Sequence, residues 1–187
     1  MAFTEQTYSR LTLGTKTCLR RSERLALDRK IREVHEDCIL VAVSSWESFA
    51  GTVLRRNGVQ VSKLDEYLKA LPDVRRGTPN WAADRGRRSG LFGRRGEVQV
   101  LLFSSVARET MEAATRASSQ MDHGFISPEH LALGCLDVGG RVETLLVHAG
   151  LEAAEIRGQI VDGRDEWVES AQLSWECERS FLAALSG

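Results

Sequence analysis

In the second half of the chain, apolar residues recur at helical spacing, separated by short polar breaks. Ala107, Met111, Ala114 and Met121 follow Ser104, whose hydroxyl suits an N-cap, so a helix is predicted from there to the break at Asp122-His123-Gly124. Ser127 caps the next helix and Pro128 takes its first position, where no N–H is needed. Glu129 then puts a carboxylate in the first turn, where it complements the helix dipole. Leu131, Leu133, Cys135 and Leu136 make this helix apolar on most sides, which predicts a central place in the core. Asp137-Val138-Gly139-Gly140 reads as a turn. Val142, Leu145, Leu146 and Ala149 form a third apolar stripe, stopped by Gly150. A short fourth helix carries Ala153, Ile156 and Ile160.

The first half echoes this order. Phe3-Thr4-Glu5 parallels Phe103-Ser104-Ser105, residues 36–43 parallel 129–136, and residues 52–58 parallel 144–150, each copy of the last pair ending in glycine. A fourth helix is predicted over Ser62–Leu71. These pairings make Phe3-to-Glu36 longer by seven residues than Phe103-to-Glu129, and the extra length is assigned to the charged stretch Arg20–Glu33. A repeat of four short helices predicts an all-α, pseudo-two-fold double repeat. The expected organisation is a degenerate first repeat over 1–72, a linker over 73–98, a second repeat over 99–162, and a C-terminal helical tail over 163–187.

Composition adjusts this picture in two places. Asp73–Glu97 holds seven arginines and five glycines, the composition of a flexible linker, with only Trp81 and Phe92 available for base stacking. Val98, Val100 and Leu102 alternate ahead of the second copy and leave a short extended lead-in open. The tail carries Trp167, Ala171, Trp175, Leu182 and Leu185 near helical spacing, a stripe expected to fold back on the core. The formal net charge of −1 supplies no drive toward nucleic acid or an anionic membrane, and no apolar run is long enough for a membrane span. The N-terminus shows no basic region followed by an apolar block. The four cysteines are far apart, with no CxxC pair, so a zinc site is not expected and a reduced, cytoplasmic protein is. No GxxxxGK[ST], GxSxG, HExxH or dinucleotide loop occurs, and no cofactor or catalytic activity is expected.

The run Ser127-Pro128-Glu129-His130-Leu131-Ala132-Leu133-Gly134-Cys135, with Phe103-Ser104-Ser105-Val106-Ala107 upstream, resembles the N-terminal domain of the Clp family of AAA+ unfoldases, ClpC and ClpA type. The resemblance is specific over 103–160 and weaker over 3–71, where Glu36-Asp37 replaces the Glu-His pair. It implies a double repeat of four-helix units that receives adaptors and marked substrates and performs no chemistry. It also implies candidate phosphoarginine sites at Ser104 with Glu129 and at Thr4 with Glu36. A carboxylate can hold a guanidinium through paired hydrogen bonds, and a helix start suits a phosphate. The same residues serve equally well as caps and dipole partners. The expected function is that of a stand-alone adaptor or decoy module of the Clp protease system. Its partners would be the unfoldase, its adaptors or marked substrates, rather than a membrane or nucleic acid. The alternative is a stress regulator independent of the protease, acting through the basic linker and Trp-rich tail.

Overall fold

The computed structural model describes residues 5–70 and 102–186. Thr4, the Asp73–Glu97 stretch, Val98 and Val100 lie outside the described residues. A short helix α1 (Glu5–Ser9) leads in, followed by α2 (Leu13–Asp28), strand β1 (Glu33–Val34), α3 (Glu36–Ser44), α4 (Phe49–Arg56) and α5 (Val61–Ala70). Strand β2 (Leu102–Phe103), α6 (Ser105–Gln120), α7 (Pro128–Val138), α8 (Arg141–His148), α9 (Ala153–Asp162) and α10 (Arg164–Ser186) complete the order. The fold is all-α, and its only strand pairing among the described residues is β1 with β2, two residues each and parallel.

Two copies of a four-helix unit are visible, and their register differs from the one expected. Each N-cap of the second copy lies 92 residues after its counterpart: Thr12 and Ser104, His35 and Ser127, Ser48 and Gly140. α2 and α6 both have 16 residues, and α5 and α9 both have 10. There is therefore no seven-residue insertion inside the first repeat. The additional residues precede it and include α1. In this register Ser104 corresponds to Thr12, not Thr4, and Glu129 corresponds to Asp37, not Glu36.

Local chemistry explains the helix starts. Thr12 accepts the N–H of Thr15 at 3.3 Å, and Ser104 accepts that of Ala107 at 3.1 Å. Two short parallel contacts tie the repeats together: Val34 pairs with Phe103, and Leu11 with Ile126. These pairs are related by the same pseudo-two-fold. Each joins the residue before one repeat's first helix to the residue ahead of the other repeat's second helix.

The core forms around α3 and α7. All nine residues of α3 are buried, as are Pro128 through Leu136 of α7. Leu131, Leu133, Ile39 and Leu40 are at most 1% exposed, and burying one such side chain is worth about 1.5–3 kcal/mol. At Gly134 a Cβ would lie 2.4 Å from the Thr110 carbonyl oxygen and 2.8 Å from the Ala114 nitrogen, so α6 and α7 cross in near-backbone contact. α10 is one 23-residue helix against α2 and α9. Lys16 of α2 meets Glu178 of α10 at 2.6 Å, and Trp167 is buried.

Candidate functional site

Pro128 and Glu129 open α7, and the Leu11–Ile126 bridge brings the start of α2 beside them. Thr12 N–H donates to Ile126 O at 3.1 Å, and the Thr15 hydroxyl donates to the same oxygen at 2.7 Å. Gly14 lets α2 close in: a Cβ there would sit 2.8 Å from Trp46 Nε1 and 3.2 Å from Pro128 Cγ. Glu129 is 3% exposed, and its Oε1 accepts the Ala50 N–H from the first turn of α4 at 3.4 Å. A buried carboxylate at a helix N-terminus is stabilised by the unpaired N–H groups there.

Above Glu129 opens a cleft of about 290 Å³. The α2 start supplies Thr12, Leu13 and Gly14, the turn before α4 supplies Trp46, Glu47 and Ser48, α4 supplies Phe49, and α7 supplies Pro128 and Glu129. The fourth wall is α10, through Glu166, Trp167, Ser170, Ala171 and Ser174. Three carboxylates and three aromatic rings line the cleft, and no basic side chain does so among the described residues.

The pseudo-symmetric place is built from Asp37 and is filled. Asp37 is fully buried, and its Oδ1 accepts the Cys38 N–H at 2.7 Å. Its Oδ2 lies 3.1 Å from Arg141 Nε in an ion pair that lacks hydrogen-bond alignment. Glu36 Oε1 accepts the Arg141 N–H at 2.7 Å. An acidic residue of α3 thus holds the start of α8, as Glu129 of α7 holds the start of α4.

The expected pairs of site residues are therefore distributed differently. Ser104 does not line the Glu129 cleft; Thr12 does. Ser104 donates its N–H to Val34 O at 2.9 Å, beside the Glu36–Asp37 end of α3, and its hydroxyl caps α6. Each helix-start hydroxyl thus faces the carboxylates of the other repeat. Thr12, Asp37, Arg141 and the cleft aromatics are residues that the sequence reading missed. The signal for the first two was present in residues 52–58 and 144–150, which already carry the 92-residue offset.

Next to the cleft, His130 of α7 works as a cap. Its Nδ1 accepts the Ser127 N–H at 3.1 Å, which leaves the proton on Nε2 to donate to His123 Nδ1 at 2.9 Å. Burial first, then the neighbouring His123 and the Arg10 and Arg164 cations, push the His130 pKa down to about 3. Burial likewise lowers that of His123, helped by Arg164 and opposed by Asp122. Trp167 stands edge-on to both imidazoles, 5.6 Å from His123 and 5.2 Å from His130, and His123 stacks on Phe125 at 5.2 Å.

No protein-family model matches the sequence. Among solved structures, the chain resembles the N-terminal domain of the chaperone ClpD from Arabidopsis thaliana, with TM-score 0.59 and 19% identity over 83% of this chain and 94% of that one. It resembles the Hsp104 N-terminal domain from Candida albicans with TM-score 0.60 and 14% identity, covering 82% and 91%. The fold is that of a Clp N-domain. A ClpV N-domain solved in complex with a VipB peptide matches this Clp N-domain-like chain with TM-score 0.51 and 16% identity, over 87% of this chain and 92% of that one. In sequence, the chain is 30% identical over 108 residues, 57% of its length, to the chaperone protein ClpB of Bacteroides thetaiotaomicron. The match spans 10% of that relative. No single helix among the described residues is long and apolar enough to cross a membrane.

Proposed function

We propose that the chain is a non-catalytic binding module of the Clp protease system, which takes up protein segments, adaptors or degradation marks. The observation that carries this reading is the aromatic, acid-lined cleft over Glu129, open to solvent and framed by elements of both repeats and α10. The Clp N-domain fold supports it, as does the VipB peptide bound by the ClpV N-domain. Residues 1–72 and 99–162 are read as the two repeats, 73–98 as the linker and 163–187 as the helical tail. Acting in trans, the module would sequester whatever docks on the N-domain of an unfoldase.

The test is a reconstituted Clp unfoldase–protease reaction on an adaptor-dependent substrate. Purified chain in excess over adaptor is expected to slow degradation and leave ATP hydrolysis unchanged, and Glu129→Gln is expected to weaken the effect. Unchanged degradation at every concentration rejects the decoy role. Phosphoarginine is the mark suggested by the family resemblance, with Glu129 facing its guanidinium. Calorimetry with phosphoarginine on the wild type and on Glu129→Ala tests it, and no heat with the wild type ends it.

A further inference from the structure

The two pseudo-symmetric carboxylates differ in one respect. Asp37 is held by a guanidinium of its own chain, Arg141 at 3.1 Å, whereas among the described residues no cation pairs with Glu129. The 92-residue register explains why. Phe49 stands where Arg141 stands in the other half, and Trp46 stands where Val138 does. The Glu129 side therefore has a phenylalanine in place of that arginine and an open space walled by flat rings. Two further carboxylates, exposed Glu47 and Glu166, line that space, and no cation among the described residues balances them. We propose that this cleft binds the unmodified side chain of an arginine in a partner polypeptide.

The chemistry fits the guanidinium. Glu129 and Glu166 offer acceptors to its planar fork of donors, and the rings of Trp46, Phe49 and Trp167 line the space with the aromatic surface on which its weakly hydrated plane can stack. A lysine ammonium fits less well, because it is a compact, strongly hydrated charge that makes no paired bond. Phosphorylation of the arginine would bring negative charge among three carboxylates with no basic side chain in the lining among the described residues, and is disfavoured. This inference rests on the proposed binding role and, at this cleft, sets the unmodified arginine side chain in place of the phosphoarginine suggested by the resemblance.

The experiment uses the full chain and four blocked pentapeptides of alanine around a central arginine, phosphoarginine, citrulline or lysine. Binding is read by calorimetry and by tryptophan fluorescence. The arginine peptide is expected to bind at least about tenfold tighter than the phosphoarginine and citrulline peptides, and to weaken as salt rises. Glu129→Gln and Glu166→Gln are each expected to reduce that preference. Glu166 lies on the exposed side of α10, so its variant retains the fold even if Glu129→Gln does not, and circular dichroism verifies both. Equal or tighter binding of the phosphoarginine peptide overturns the inference, as does arginine binding that neither substitution alters. An unfolded, arginine-free polypeptide is titrated in parallel. If it binds and the arginine peptide does not, the arginine inference falls and the binding role stands; if neither binds, both fall.

Discussion

At the scale of single residues, Asp37 shows how much one partner can matter. Its carboxylate is fully buried, and Arg141, with 24% of its side chain exposed, is the cation that faces it. Removing one member of such a pair leaves a buried charge with nothing to replace water. Arg141→Met should therefore destabilise the protein by about 3 kcal/mol, read from the midpoint of urea unfolding, and Asp37→Asn in that background should recover part of the loss. An unchanged midpoint in Arg141→Met would show that the pair contributes nothing. The cysteines give a second residue-scale expectation. Burial, then the Glu129 charge, raises the Cys18 thiol to about 12, and burial raises Cys38 and Cys135 well above the ordinary range, while Cys177 is exposed. A thiol reagent should modify one cysteine promptly in the folded chain, and mass mapping should find it at Cys177. Prompt loss of a second thiol would contradict the burial of the other three. The sequence pointed to Cys135 as buried because it lies among Leu131, Leu133 and Leu136. It could not point to Arg141, because a charged residue at a helix start looks the same whether it meets solvent or a buried carboxylate.

At the scale of elements, what was legible follows from how sharply each helix is punctuated. Every helix of the second repeat was readable from its stops: Ser104, the Asp122-His123-Gly124 break, Pro128 and Gly150 each allow few alternatives. The first repeat was misregistered because Phe3-Thr4 imitates Phe103-Ser104, and because α3 gives no phase of its own. With all nine of its residues buried, α3 has no polar face to tell Glu36 from Asp37 as the partner of Glu129. Cap-to-cap spacing fixes what periodicity leaves open, and it selects Thr12 and Asp37. The same register sets Gly134 against Ala42, so the α6–α7 crossing depends on the missing side chain while α2–α3 accepts a methyl. Gly134→Ala improves helix propensity by about 1 kcal/mol, yet its Cβ would press on the Thr110 carbonyl oxygen at 2.4 Å. Overpacking against backbone should prevail, with a net loss of about 1–3 kcal/mol in chemical unfolding. A stabilised Gly134→Ala variant would mean that α6 and α7 can separate without cost.

At the scale of the whole molecule, α10 is both a wall of the cleft and the lid of the His123–His130 pair, so acidity should reach the site through the fold. Both imidazoles are held neutral by burial, with Arg10 and Arg164 adding to the effect at His130 and Asp122 the one acidic group opposing it at His123. Below the ordinary value of 6.5, the unfolded chain takes up protons that the native His130 refuses until about 3. The unfolded state then binds more protons, so stability falls as pH drops from 6.5 toward 3 and is insensitive to this pair above 6.5. One refused proton costs about 1.4 kcal/mol per pH unit inside that window. A proton added at His123 Nδ1 would also set N–H against N–H across the 2.9 Å His123–His130 bond, directly beneath Trp167. Glu23, raised to about 7 by burial, acts in the opposite direction over this window, so the pair is read by difference: below pH 6.5 the urea midpoint of the wild type should fall relative to that of a His130 variant, accompanied by loss of the near-ultraviolet tryptophan signal. His130→Cys, which installs the residue that the first repeat carries at Cys38, should give a shallower decline from a lower starting stability. An equal slope in that variant would assign the acid sensitivity to the carboxylates and remove the histidine pair from the coupling between α10 and the cleft.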